Sequence, residues 1–151
     1  KRLKYKKRLE NLIFKLGLND KVLFLQQTRD LPAFMMLADV VISCSKKPEA
    51  FGRTILEAQA MGRPVIAFNH GGSVELIKEN KNGILSPAFN IKKFAENISR
   101  SLSLSLAERK KISEESVRRV NKKYLTSMMC KKTIKLYKNL ILEKNEKNFS
   151  N

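Results

Sequence analysis

Residues 40–68 read VVISCSKKPEAFGRTILEAQAMGRPVIAF and carry most of the information about the architecture. The apolar run Val40–Ser43 is typical of a short buried strand, and Pro64–Phe68 is a second one with proline at its first position. Between them, Phe51–Met61 has helical spacing and is followed by the helix-ending sequence Gly62-Arg63-Pro64. Strand, helix and strand in this order predict two parallel strands joined by a crossover helix.

The same alternation continues in the rest of the chain. Two further apolar runs, Val22–Leu25 and Ile84–Ser86, are predicted strands. Helical patterns cover residues 3–16, 31–38, 73–79, 91–104, 106–121 and 124–143. Four short strands that alternate with helices predict an α/β protein, namely a Rossmann-like, doubly wound parallel sheet followed by a helical C-terminus.

Length and composition indicate one soluble domain. The chain has 151 residues, of which 42% are hydrophobic and 30% charged. We expect a domain over residues 1–145 and a polar tail over 146–151. The sequence lacks an initial Met and opens on a helix, so we expect a fragment whose leading strands are missing.

Targeting signals and cysteine usage favour a cytoplasmic location. No apolar run approaches the roughly 20 residues needed to span a bilayer, and the basic N-terminus lacks an apolar signal core. Cys44 and Cys130 form neither a disulfide framework nor a metal-ligand cluster, which favours a reducing compartment.

The formal net charge of +17 raises the question of an anionic partner. The cations concentrate in Lys1–Arg8 and Arg109–Lys138, without aromatic residues placed to stack on bases. We interpret most of this charge as a solvated surface. Attraction to nucleotides, or peripheral contact with an anionic membrane, stays open as an alternative, and nucleic acid is the least favoured partner.

Glu49 and Glu57 are the main candidates for ligand contacts. Seven residues separate them, and Gly52 lies between them at the start of the predicted helix. A glycine lets the backbone approach a ligand closely, and a helix N-terminus offers unpaired N–H groups to an anion. Two carboxylates can accept hydrogen bonds from two sets of hydroxyls, so phosphate between two polyols, as in a nucleotide-sugar, fits this pattern.

The segment Ser45–Gly72 resembles the donor-binding signature of retaining GT-B glycosyltransferases of family 4, which includes bacterial lipopolysaccharide and capsule sugar transferases. The resemblance is carried by Glu49-Ala50-Phe51-Gly52-Arg53-Thr54-Ile55-Leu56-Glu57, by Gly62-Arg63-Pro64, and by Asn69-His70-Gly71-Gly72 with Glu75. It spans roughly residues 10–140. Arg53 departs from the small apolar residue that is common at its position in the family.

The resemblance implies a role for each site residue. Glu49 would be catalytic and bind the hydroxyls of the donor sugar, and Glu57 would hold the ribose. Gly71 and Gly72 would face the sugar. The remaining implied substrate contacts are Ala50, Phe51, Gly52, Arg53, Thr54 and Ile55 near the diphosphate, and Thr28 and Asp30 near the base.

Structural alternatives stand beside several of these roles. Phe51 is more often a core residue, Arg53 fits a surface charge equally well, and Gly71-Gly72 fit a plain turn. His70 is the only histidine and has no metal-ligand spacing, so we interpret it as a polar loop residue.

The resemblance also implies partners and limits. It implies a nucleotide-diphosphate sugar as donor substrate, no cofactor and no metal, and a glycan or lipid acceptor in envelope polysaccharide synthesis. The expected location is cytoplasmic, or peripheral at the inner face of the membrane. Relatives carry an upstream Arg and Lys and an N-terminal acceptor domain that are not matched here, so we expect a donor-binding half that is inactive alone.

The last helix has an apolar face that allows two interpretations. The resemblance implies that this helix crosses back to the N-terminal domain, whereas packing within its own domain is the simpler alternative. The residues that form this face are Leu125, Met128, Met129, Ile134, Leu136, Leu140 and Ile141.

Two other function classes remain open at this stage. One is a non-catalytic nucleotide-binding module of the same fold, because fold does not determine function. The other is a basic protein that binds nucleic acid or membrane.

Overall fold

The computed structural model describes residues 2–25, 28 and 30–149. The chain divides into two compact units, Lys1–Leu31 and Pro32–Asn151. In the first unit, α1 (Arg2–Lys15) lies within one residue of the predicted helix over 3–16 at each end, and Gly17 follows it. Gly17 has a φ of 64°, and its N–H donates to the Phe14 carbonyl at 3.1 Å, which is typical of a helix C-terminus.

The prediction of a strand at Val22–Leu25 is wrong. These residues pair with no strand among the residues that the structure describes, and their side chains are exposed. An apolar run becomes a strand only when a neighbouring strand takes up its backbone hydrogen bonds. The local pattern of side chains predicts apolar character here but does not supply that neighbour.

The second unit contains the sheet and most helices. Every other predicted element is present, although several ends are shifted. The elements are α2 (Leu31–Leu37), β1 (Val41–Ser43), α3 (Arg53–Ala60), β2 (Val65–Phe68), α4 (Ser73–Leu76), β3 (Ile84–Ser86), α5 (Ile91–Leu102), α6 (Leu106–Lys123) and α7 (Thr126–Phe149).

The three strands form a parallel sheet in the order β1-β2-β3, with Ile66 of β2 opposite Ile42 on one side and Ile84 on the other. Side chains of β2 alternate between two apolar clusters. Val65 and Ala67 pack with residues of α2, α3 and α4, whereas Ile66 packs with β3 and α5. Helices therefore cover both faces, which confirms the predicted doubly wound arrangement.

Two helix ends, the start of α3 and the end of α4, differ from the sequence prediction for local reasons. Helix α3 begins at Arg53 rather than Phe51, because Gly52 adopts a left-handed conformation that no helical residue has. Helix α4 stops at Leu76 rather than Glu79, because the buried Asn82 side chain donates to the Leu76 carbonyl at 3.0 Å. The Oδ1 atom of Asn82 also accepts a hydrogen bond from the Lys78 N–H at 2.7 Å.

Helix α7 runs to Phe149, past the predicted end at residue 143. Lysine and glutamate are strong helix formers, so a polar composition does not end a helix. Ser150 and Asn151, the end of the predicted tail, lie outside the described residues.

Most of the apolar face of α7 does not pack within this unit. Among the described residues, the large side chains of this face are largely exposed: Met129, Ile134, Leu136, Tyr137, Leu140 and Ile141. The interpretation that the face belongs to the core of its own domain is therefore wrong.

Candidate functional site

The loops that follow β1 and β2 meet at the carboxyl ends of the strands. The Gly72 N–H, in the loop after β2, donates to the Glu49 carbonyl, in the loop after β1, at 2.8 Å. In open α/β sheets, ligands bind in crevices outside the carboxyl ends of the strands. The fold thus places Glu49 and the Gly71-Gly72 pair together at the edge where a ligand is expected.

The two glycines are required by close contact between these loops. A Cβ on Gly72 would lie 2.4 Å from the Phe51 carbonyl oxygen, and one on Gly71 would lie 2.6 Å from the Glu49 carbonyl oxygen. Gly71 also has a φ of 57°, which a residue with a side chain rarely adopts. The glycines therefore fix the backbone of Glu49–Phe51, a role that a plain strand-to-helix turn would not have.

Gly52 directs the start of α3 toward the same edge. It is buried, has φ 90° and ψ 55°, and precedes the helix without a side-chain cap. The N–H groups of Ile55 and Leu56 already donate to the Gly52 carbonyl, at 3.0 and 3.3 Å. These two N–H groups are therefore already occupied within the helix itself.

The first two N–H groups of α3 are available. Among the described residues, the backbone N–H groups of Arg53 and Thr54 have no hydrogen-bond acceptor. Unpaired N–H groups at a helix N-terminus, together with the helix dipole, favour an anionic ligand by typically 0.3–1 kcal/mol near a surface.

A small cavity adjoins the Glu49 carboxylate. Its volume of about 10 Å³ is close to that of a single water molecule. The Glu49 carboxylate is exposed and accepts a hydrogen bond from the Ser45 hydroxyl. The cavity is lined by Ser43, Ser45, Glu49, Gly52, Ile55, Ala67, Phe68, His70 and Ser73.

Glu57 does not line this cavity. Its carboxylate accepts a hydrogen bond from the Arg53 guanidinium at 3.2 Å, one helical turn away. The Arg53 side chain is 85% exposed and that of Glu57 is 38% exposed, so the ion pair contributes only about 0.3–0.5 kcal/mol. Such a weak pair leaves both side chains able to exchange their partner for a ligand.

The other predicted contacts are distributed as follows. Phe51 is not a core residue, because it is 45% exposed; its ring lies edge-on to that of Tyr124, with centroids 6.2 Å apart. Thr28 and Asp30 belong to the first unit, where the Asp30 N–H donates to Thr28 Oγ1 at 3.0 Å. Their contact with a nucleotide base stays a prediction.

Ser73 and His70 are among the cavity residues that had no predicted role in binding. Ser73 is buried, and its hydroxyl lies 2.5 and 2.6 Å from the carbonyls of Phe68 and His70, which holds the loop between them. His70 also reaches the cavity. The location of His70 in the cavity depends on how its loop folds back on Glu49. In the sequence, only its position directly before Gly71-Gly72 points to this location.

A larger groove lies at the opposite end of the sheet. It has a volume of about 980 Å³ and is lined by Pro64 and Val65 at the start of β2, by the turn around Asn80 and by α6. None of the predicted site residues reaches it. Size alone does not identify a ligand site, and the unpaired N–H groups and the carboxylate lie at the other edge.

Metal and membrane features are absent from the described part of the chain. No three His, Cys, Asp or Glu side chains there lie close enough to share a metal ion. None of its helices combines the length and the apolar character that a bilayer crossing requires.

Known proteins are similar to this chain in both sequence and fold. The profile of the glycosyl transferases group 1 family matches residues 3–119. An uncharacterized glycosyltransferase of Methanocaldococcus jannaschii is 36% identical over 132 residues, which are 86% of this chain and 33% of that protein. The chain therefore spans about a third of this relative's length.

Solved structures give the same result. A glycosyltransferase of Rickettsia africae superposes with a TM-score of 0.88 at 34% identity, over 91% of this chain and 37% of that one. HepE of Anabaena in complex with UDP superposes with a TM-score of 0.86 at 28% identity, over 91% and 37%. On these matches, the chain belongs to the glycosyl transferases group 1 family and has the parallel sheet and flanking helices of its GT-B members.

Proposed function

We propose that this chain binds the nucleotide-diphosphate sugar for a retaining glycosyltransferase. The observation that carries the proposal is that Glu49 and Gly52, the residue before α3, line one cavity, while the hydrogen bond from the Gly72 N–H to the Glu49 carbonyl at 2.8 Å joins the two loops there. The Anabaena relative, which was crystallised with UDP and with UDP-glucose, supports this class of donor.

The diphosphate lies at the start of α3 in this proposal. The N–H groups of Arg53 and Thr54 donate to its oxygens, and the exposed Arg53 guanidinium exchanges Glu57 for phosphate. Glu57, once released, accepts hydrogen bonds from the ribose hydroxyls, as an acidic residue does in dinucleotide-binding folds.

Glu49 acts on the sugar. Its carboxylate accepts hydrogen bonds from sugar hydroxyls in place of the Ser45 hydroxyl, and it stabilises the positive charge that develops at the anomeric carbon. Because Gly71 and Gly72 fix its backbone, this charge is held in place before the reaction. The transfer proceeds with retention and without a metal ion, and cations of the whole protein neutralise the departing diphosphate.

The remaining partners are an acceptor and an N-terminal GT-B domain. The exposed apolar face of α7 supports a second domain, because such a face is stable in water only when another surface covers it. The acceptor is a glycan or lipid of envelope polysaccharide synthesis, bound at the cytoplasmic side. Lys131, Lys135 and Lys138, spaced four and three residues apart along α7, support peripheral contact with an anionic membrane.

Calorimetric titration with matched ligands tests the proposal. The ligands are UDP-glucose, GDP-mannose and ADP-glucose, each compared with its own diphosphate. Glu57→Ala should weaken sugar and diphosphate forms equally, because both contain ribose. Glu49→Gln should weaken only the sugar form, by roughly 10- to 100-fold, the range of a hydrogen bond to a charged group.

Glu96→Gln is the matched control. Glu96 also forms an exposed ion pair within a helix, with Lys93 at 3.1 Å, but it lies on α5 and outside the site. It should leave all affinities unchanged. Failure of every nucleotide ligand to bind, or equal losses in the control, would refute the proposed function.

A further inference from the structure

His70 occupies an unusual environment in the cavity beside Glu49. Its ring packs beside two aromatic rings that also contact each other: its centroid is 5.9 Å from that of Phe68 and 6.4 Å from that of Phe89, and those two are 5.7 Å apart. Its backbone N–H donates to the Phe68 carbonyl at 2.9 Å. The ring is therefore held in one place by the fold.

Neither ring nitrogen of His70 has a protein partner. Both Nδ1 and Nε2 are shielded from solvent, and neither makes a hydrogen bond within the described residues. Buried polar side-chain atoms in native proteins almost always have a partner, so each exception calls for an explanation. Because the ring lines the cavity that Glu49 also lines, a ligand in that cavity can provide the partner.

The chemistry of imidazole selects the kind of ligand group. A neutral imidazole has one N–H donor and one acceptor nitrogen, so it needs a partner that can both accept and donate. Diphosphate oxygens that are ionised only accept hydrogen bonds, whereas each sugar hydroxyl does both. The lining of the cavity agrees, since it includes Glu49 but neither Arg53 nor Thr54 at the start of α3.

We propose that His70 binds hydroxyl groups of the transferred sugar, as a second sugar contact opposite Glu49. This inference rests on the proposed function. His70 then recognises the sugar and not the nucleotide. When the diphosphate without sugar binds, both ring nitrogens therefore remain without a hydrogen-bond partner.

The single histidine makes the test direct. In a protein labelled with ¹⁵N, all imidazole signals in a long-range ¹H–¹⁵N spectrum come from His70. We expect the nucleotide-sugar that binds best, among UDP-glucose, GDP-mannose and ADP-glucose, to shift these signals. The matching diphosphate at saturation should leave them close to their ligand-free positions.

Two variants provide an independent readout. His70→Phe keeps an aromatic ring beside Phe68 and Phe89 but removes both nitrogens, and it should reduce the affinity for the nucleotide-sugar roughly three- to tenfold. Its affinity for the diphosphate should not change. His70→Gln restores a donor and an acceptor and should recover part of the loss.

The outcomes separate this inference from the proposed function. If the sugar and the diphosphate shift the His70 signals equally, or if His70→Phe binds both ligands as the wild type does, His70 has no contact with the sugar while the proposed function stands. If no nucleotide ligand binds at all, the proposed function and this inference are both wrong.

Discussion

At the scale of the residue, two glycines decide how precisely Glu49 is placed. Gly72 has an ordinary helical φ of −63°, so alanine would suit its backbone, and only the contact with the Phe51 carbonyl excludes a Cβ. Gly72 is therefore required only because a side chain would not fit. Gly71 is required both for this reason and because of its positive φ.

We predict that Gly72→Ala destabilises the fold and weakens donor binding. The added Cβ, 2.4 Å from the Phe51 oxygen, must push the two loops apart, and overpacking of this kind costs typically 1–3 kcal/mol. Urea unfolding measures the loss of stability, and titration with a nucleotide-sugar measures the loss of affinity.

Gly17→Ala is the matched control. Gly17 has a φ of 64°, but a Cβ there would meet nothing within 4 Å, so only backbone strain of roughly 1–2 kcal/mol is expected and donor affinity should stay the same. An unchanged donor affinity in Gly72→Ala would show that the loop contact does not position Glu49.

Some features of the site can be predicted from the sequence, and others depend on contacts that form only in the folded protein. Glu49 and Gly52 are recognisable from their spacing and Gly71-Gly72 from the family resemblance, and the structure brings them to one edge of the sheet. The reason for Gly72 is not local, because its contact with Phe51 bridges two loops. The hydrogen bonds from Ile55 and Leu56 to Gly52 depend on the actual first residue of α3, which the helical pattern places two residues too early.

At the scale of the element, α6 has a well-defined start. Ser105 and Glu108 form a capping box, in which the Ser105 hydroxyl accepts the Glu108 N–H and the Glu108 carboxylate accepts the Ser105 N–H at 2.8 Å. The hydrogen bonds from the Ser105 side chain and backbone lower the pKa of Glu108 below its ordinary value of 4.5. Since α6 packs against α3, this cap supports the helix that presents the candidate site.

We predict that Ser105→Ala reduces the free energy of unfolding by about 1 kcal/mol, the typical value of an N-cap. A lowered pKa means that the contribution of Glu108 is present above its unfolded pKa and is lost as the pH falls through its folded pKa. The difference in stability between the wild type and Glu108→Gln should therefore be present at pH 7 and shrink as the pH falls below the ordinary pKa of 4.5 and through the lowered pKa of folded Glu108. A constant difference between pH 7 and pH 3 would contradict the capping role.

Helix α7 presents its apolar face without a partner in the described residues. Leu136 and Leu140 are 56% and 51% exposed, whereas Ile55 in the core is 2% exposed. Fully buried side chains contribute far more to the stability of a domain than exposed ones. The apolar spacing predicts this face, but the partner that would cover it is not encoded in the spacing.

We predict that Leu136→Glu with Leu140→Glu changes the free energy of unfolding of this chain by less than about 1 kcal/mol. Ile55→Ala, as the buried comparison, should cost about 2–5 kcal/mol. Chemical denaturation of the three proteins measures this. A loss in the double variant as large as that of Ile55→Ala would mean that the α7 face belongs to the core of this chain.

The element scale shows a second limit of the sequence. The three observed strands and the order of the helices follow from apolar runs and turn residues, and β2 shows the expected burial on both faces. Val22–Leu25 has the same apolar character but no neighbouring strand, so the pattern alone gave the wrong result. Pairing is a property of the assembled sheet and not of one segment.

At the scale of the whole molecule, the two edges of the sheet differ in chemistry. The edge at the carboxyl ends carries the Glu49 carboxylate, the unpaired N–H groups of Arg53 and Thr54 and two close-packed glycines, although its cavity is small. The groove at the amino ends is much larger, but half of its charged side chains pair with each other, as Arg118 does with Glu115 at 2.7 Å. We therefore propose that the donor binds at the smaller cavity, which must widen to hold a sugar.

The position of a bound nucleotide-sugar, determined by crystallography of the complex, tests this assignment most directly. The account predicts diphosphate oxygens within about 3 Å of the Arg53 and Thr54 N–H groups, and sugar hydroxyls at the same distance from the Glu49 carboxylate. A donor bound in the groove at the amino ends of β2 and β3, or with its sugar pointing away from Glu49, would contradict it.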